Sequence, residues 1–193
     1  MWFEHCVLWK GFQIQMNDIL LRNGMTISNI CLGTDIMPEL FFSSNRTKEF
    51  IDRRVYQSKR FLKGEYHIYK KYNGIIKVVN KAISSGCKFF DTSRAYGSSE
   101  VMLSRALGGV PRDQYQICTK LSNEDQLHGK SAKEALNESM KRIGVDYVDM
   151  YLLHWPVEGR YIDYWKQLEE LYCEGLCKVI GVANCKIHHL EEI

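Results

Sequence analysis

One repeating unit constrains this chain more than any other feature. It is a short apolar run, a polar residue at its end, and then a stretch of helical period. CKFF precedes Asp91, QYQICT precedes Lys120, DYVDMYLL precedes His154, and KVIGVA precedes Asn184. Short apolar runs bounded by turn signals read as strands buried on both faces. Their alternation with helical segments through short turns dictates right-handed βαβ units and a parallel sheet. When such units curl into a barrel, the C-terminal ends of all strands share one rim, and chemistry gathers there. Asp91, Lys120 and His154 therefore belong on one rim. Tyr96 joins them from the loop five residues beyond Asp91. An acid, an amine, an imidazole and a phenol at one place make a proton-transfer site.

Reading along the chain, Ile19–Thr26 is a hairpin that turns at Asn23-Gly24. Ser28–Gly33 is the first barrel strand, and Cys87–Asp91, Tyr115–Lys120, Tyr147–Leu153 and Lys178–Ala183 follow. Helices are expected over Ile75–Ser85, Ser99–Leu107, Ser131–Ile143 and Ile162–Cys173, and another begins at Ile187. Ser131 and Glu134 have the spacing of a capping box, and Gly86 and Gly144 supply C-caps. Five strands are countable where a closed barrel needs eight. The expected fold class is thus α/β, a partial (β/α)8 TIM barrel of about five parallel strands with helices outside.

Residues 1–15 read as an N-terminal extension, because MNDILLRNGMTI from Met16 looks like the opening of a domain. Residues 16–193 read as a single domain carrying an insertion at 35–73. Within it, Asn45–Asn73 holds nine Lys or Arg against three acidic residues. The insertion leaves the first strand on the chemical rim. It could fold over the mouth as a lid, with Tyr56, Tyr66, Tyr69 and Tyr72 suited to an anionic or sugar-like ligand, or it could be a solvated helical excursion.

A net charge of +3 is too small to argue for a nucleic-acid partner. No apolar run is long enough for a membrane span, and the N-terminus lacks the basic region and cleavage site of a signal peptide. The seven cysteines are odd in number and form no CxxC, which fits a reducing cytoplasm. His188-His189 lacks further ligands at metal spacing, so no metal site is expected. Asp146 and Asp149 flank the start of a strand and read as caps or surface charges on the opposite rim.

Each rim residue alone has an ordinary reading. Asp91 could be a helix N-cap, Tyr96 a packing residue, Lys120 a solvated strand end and His154 a structural histidine. Their joint order argues otherwise. At DTSRAYGSSE, CTK, VDYVDMYLLHWP and KVIGVAN the chain resembles the aldo-keto reductases. The resemblance implies that Asp91, Tyr96, Lys120 and His154 are catalytic and that the cofactor is NADP(H), with NAD(H) as the alternative. It points to Asp91 and Asn184 as cofactor contacts. Gly33 and Thr34, at the exit of the first strand, could also approach the cofactor, or serve only as a tight turn. Trp155 could line a substrate pocket or simply pack.

The implied activity is reduction of an aldehyde or ketone, with a small-molecule carbonyl as substrate. Such a reaction needs a hydride on carbon and a proton on oxygen, and the cofactor carries the hydride. Tyr96 would be the general acid, with Lys120 expected to lower its pKa from the usual value near 10. Asp91 would hold Lys120, and His154 would orient the carbonyl. Three departures from the family pattern stand out. Ala183-Asn184 replaces the usual Ser-Asn pair, the loop after the first strand is long, and the last three βα units have no counterpart. The competing expectation is therefore an inactive truncated fragment or a regulatory or binding subunit. Open edges on the first and fifth strands would favour self-association.

Overall fold

The computed structural model describes residues 18–35 and 76–193. The N-terminal extension and almost all of the basic insertion lie outside the described residues. Strands β1 (Asp18–Leu20) and β2 (Thr26–Ser28) form an antiparallel hairpin. Gly24 turns it with φ of 81°, a left-handed conformation that favours glycine. Five further strands follow: β3 (Cys31–Gly33), β4 (Phe89–Asp91), β5 (Gln116–Leu121), β6 (Val148–Leu153) and β7 (Cys177–Val182). They pair in sequence order, each parallel to the next. Between them lie α1 (residues 76–84), α2 (Ser99–Leu107), α3 (Asn123–Leu127), α4 (Ala132–Ile143) and α5 (Tyr161–Cys173). Helix α6 (Ile187–Glu192) follows β7. This is the expected partial β/α barrel.

The core lies between the sheet and its helices. Phe90, Ile117, Leu121, Tyr151 and Leu153 of the strands are fully buried with Leu103, Leu136 and Leu168 of α2, α4 and α5. Burying a side chain of this size contributes about 1.5–3 kcal/mol. Helix α4 starts as its sequence predicts. Ser131 accepts the Glu134 N–H, and the Glu134 carboxylate accepts the Ser131 N–H. Gly144, at φ of 82°, ends it.

Two local expectations are corrected. The first barrel strand begins at Cys31, because Ser28 belongs to the hairpin, where its N–H donates to the Gln116 side chain. The five-residue α3 was not foreseen. It has no apolar period to read, and it rests on Ser122, whose hydroxyl accepts the Asp125 N–H. Gln116 Nε2 also donates to Thr26 O, and Asn23 Nδ2 donates to Lys178 O. The hairpin is thereby pinned against the N-terminal ends of β5 and β7, opposite the chemical rim. Among the described residues β3 and β7 each pair on one side only. No described helix is long and apolar enough to cross a membrane.

Candidate active site

Register brings the rim together. Asp91 ends β4 and Lys120 lies near the end of the adjacent β5. Lys120 Nζ donates to Asp91 Oδ1 at 2.5 Å and to Thr92 O at 2.9 Å. The chain then folds back in a single 3-10 turn, Arg94–Tyr96. Ser93 caps that turn, its hydroxyl accepting the Ala95 N–H at 3.1 Å, and the Tyr96 N–H donates to Ser93 O. The turn carries the Tyr96 ring to 5.1 Å from Lys120 Nζ. His154, just past β6, meets the same ring edge-on, with centroids 5.4 Å apart. The four residues singled out in the sequence therefore share one rim.

Burial governs their charge. Lys120 is only 7% exposed at its side chain, and burial alone would lower its pKa. The hydrogen bond to Asp91 outweighs that, and the net shift is upward, so the ammonium persists. For Tyr96 the expected direction is reversed. Burial raises the phenol, Lys120 pulls it down, and burial wins. Tyr96 keeps its proton at neutral pH, and the cation offsets part of the burial. His154 is lowered, first by burial and then by Lys120, so its imidazole is neutral.

The remaining expected residues divide. Gly33 sits at the rim, with nothing among the described residues within 4 Å of where a side chain would begin. Thr34 is buried, and its hydroxyl and N–H both donate to Asp91 O at 2.8 Å, so it braces the end of β4. Asn184 adopts a left-handed φ of 58°. Its Nδ2 donates to His154 O at 2.7 Å, and Oδ1 has no partner among the described residues. Trp155 is half exposed beside His154.

Sequence reasoning missed the supports beneath these groups. Arg94 reaches Asp125 and Glu138, linking the Tyr96 turn to α3 and α4. Glu100 is completely buried, accepts the Thr119 hydroxyl at 2.8 Å and pairs with Arg142. Ser93 lies 3.1 Å from His154 Nδ1. Each is a polar residue inside or just after the DTSRAYGSSE stretch, but its partner comes from elsewhere in the chain. Asp149 is not a surface charge. It is 2% exposed and bound to Arg112, Lys178 and the Ile117 N–H, a structural tie at the far rim.

His188-His189 does gain a third group. Glu158, thirty residues earlier in the chain, brings the three sets of ligand atoms within 4.8 Å. Yet His189 Nδ1 accepts the Lys186 N–H, so Nε2 carries the ring proton toward Glu158 Oε1 at 3.0 Å. A protonated Nε2 is a donor rather than a metal ligand. The trio clamps the loop after β6 to the start of α6.

Residues 62–193 match the profile of the Aldo/keto reductase family. The chain belongs to that family. Methylglyoxal reductase DkgA of Salmonella typhimurium is 43% identical over 122 residues, which is 62% of this chain and 43% of that protein. Glyoxal reductase of Bacillus subtilis is 38% identical over 129 residues, 65% of this chain and 46% of that protein. Among solved structures, a Gox0644 variant in complex with NADPH superposes with a TM-score of 0.67 at 26% identity. It covers 92% of this chain and 53% of that one. The chain thus spans less than half the length of the curated relatives it matches.

Proposed function

We propose that this chain carries the proton-transfer site of an NADP(H)-linked reduction of small aldehydes or ketones, with α-dicarbonyls as the favoured class. The observation that carries the proposal is the convergence of a protonated phenol, a buried lysine paired with a partly exposed aspartate, and a neutral imidazole on one rim. The names of the glyoxal and methylglyoxal reductases support the substrate class.

The rim residues fit the nicotinamide end of the cofactor. Among the described residues Asn184 Oδ1 has no partner and could accept an amide N–H, and none comes within 4 Å of a side chain starting at Gly33. Thr34 acts there through the backbone of Asp91. When bound, the reduced nicotinamide supplies the hydride to the carbonyl carbon. Tyr96 gives its phenolic proton to the carbonyl oxygen, and Lys120 stabilises the phenolate left behind until solvent reprotonates it. Asp91 holds Lys120 in place. His154 donates a hydrogen bond that orients the carbonyl, and Trp155 screens its outer side.

We also place the chain in the cytoplasm, as its free cysteines suggest. Residues 16–193 act as a single domain in this reading. Val179, Ile180 and Val182 of β7 are only half buried, which favours association of the 193-residue chain through that edge. Light scattering on a size-exclusion column should show dimers or larger species, and a concentrated monomer would oppose this part of the proposal. For the activity, purified chain, NADPH and methylglyoxal should give loss of nicotinamide absorbance that Tyr96→Phe removes. A folded protein that turns over neither dicarbonyls nor simple aldehydes would overturn the reading.

A further inference from the structure

The imidazole of His154 has two nitrogens, and its orienting role needs the proton on Nε2, the one not set against Ser93. The other, Nδ1, lies 3.1 Å from Ser93 Oγ. Either group could donate in principle. Ser93 decides between them. It is completely buried, and its oxygen already accepts the Ala95 N–H. If Nδ1–H also donated to Oγ, the serine hydroxyl proton would be buried with no acceptor among the described residues, an unfavourable arrangement. If the hydroxyl donates to Nδ1 instead, every group is satisfied and the ring proton is confined to Nε2. The backbone of His154 is held independently, by His154 N–H to Leu121 O and by Asn184 Nδ2 to His154 O. The serine contact therefore governs the proton rather than the position of the residue.

We infer that Ser93 is a positioning residue that selects the Nε2–H tautomer of His154, so that the imidazole presents a donor rather than a lone pair to the substrate carbonyl. The inference rests on the proposed role of His154, but its test does not depend on turnover. It also gives the Ser93 turn two tasks at once. One hydroxyl caps the turn that presents the acid, and the same hydroxyl sets the tautomer of the orienting group.

The test is long-range proton–nitrogen NMR of the histidine rings in the 15N-labelled full chain at neutral pH. His154→Gln identifies the His154 signals by their disappearance. The wild-type spectrum should show an unprotonated Nδ1 and a protonated Nε2 on this ring. Ser93→Ala should give nitrogen shifts averaged between the two tautomers, and Ser93→Thr, which keeps the hydroxyl, should return the wild-type pattern. Ser93→Cys, nearly isosteric and a weak donor, carries the same comparison if the alanine variant does not fold. A protonated Nδ1 in the wild type overturns the inference. So does an unshifted ring in a folded variant that lacks the hydroxyl. A chain that shows the expected tautomers but reduces no carbonyl would leave this inference standing and count against the proposed function instead.

Discussion

Arg94 is the residue whose removal should be felt most widely. It belongs to the same turn as Tyr96, and its side chain is 13% exposed. Nε and Nη2 contact the two Asp125 oxygens at 2.8 and 3.3 Å, and Nη2 reaches Glu138 at 2.7 Å. Arg94→Met keeps much of the aliphatic stem and removes the charge. Asp125, 9% exposed at its side chain, then loses its main counter-charge. Breaking a buried pair by removing one partner costs about 3–5 kcal/mol. Here Ser122 Oγ still donates to Asp125, and Lys130 stands 3.6 Å away and can close in. The lower end, about 3 kcal/mol, is the expected loss. For a chain of this length that corresponds to a fall of about 6–12 °C in Tm. Urea unfolding followed by far-UV circular dichroism measures it. Adding Asp125→Asn removes the stranded charge and should recover at least half of the loss. A single-variant loss below about 1 kcal/mol, the range of exposed ion pairs, would refute the reasoning. So would a double variant less stable than the single one.

Tyr96→Phe removes one hydroxyl and little volume. It should lower the rate of carbonyl reduction by about 10²–10⁴ with the unfolding midpoint unchanged, and wild-type turnover would exclude Tyr96 as the acid. Lys120→Met removes the cation that pulls the Tyr96 phenol down. The alkaline limb of the pH–rate profile should move upward as turnover falls, and a limb moving downward would contradict the proposed coupling. His154 is held below its ordinary value of 6.5 by burial and Lys120. The unfolded chain therefore binds the proton more readily, and this contribution to stability is complete above about pH 6.5 and lost as pH falls from there through the folded value. Denaturant unfolding from pH 8 to pH 5 should show that loss, and His154→Gln should flatten it. An equal slope in the variant would assign the acid sensitivity to other groups.

The sheet and the four rim residues were legible in the sequence because their signals are local. A short apolar run announces a buried parallel strand, and the residue at its end lies on the rim wherever the run sits in the chain. Ser131 with Glu134 and Gly144 spelled out α4 for the same reason, since a cap is made by neighbours. What stayed hidden depends on distance and on solvent. Helix α3 has no apolar period, and its cap could not be told from any serine in a loop. The partners of Arg94, Glu100 and Asp149 lie 31, 42 and 37 residues away, and only packing selects them. The carboxylate beside His188-His189 also came from outside its neighbourhood, and only the hydrogen-bond directions showed a clamp rather than a ligand set. The charge state of Tyr96 is the sharpest case. The motifs placed an ammonium near the phenol and so implied a lowered pKa, but the depth of burial is a property of the whole fold and it reversed the sign. Sequence determined which chemical groups meet at the rim. Tertiary structure decided how dry the rim is, which protons stay there, and which buried partners hold them, because desolvation and hydrogen-bond satisfaction are summed over every element that packs around the site.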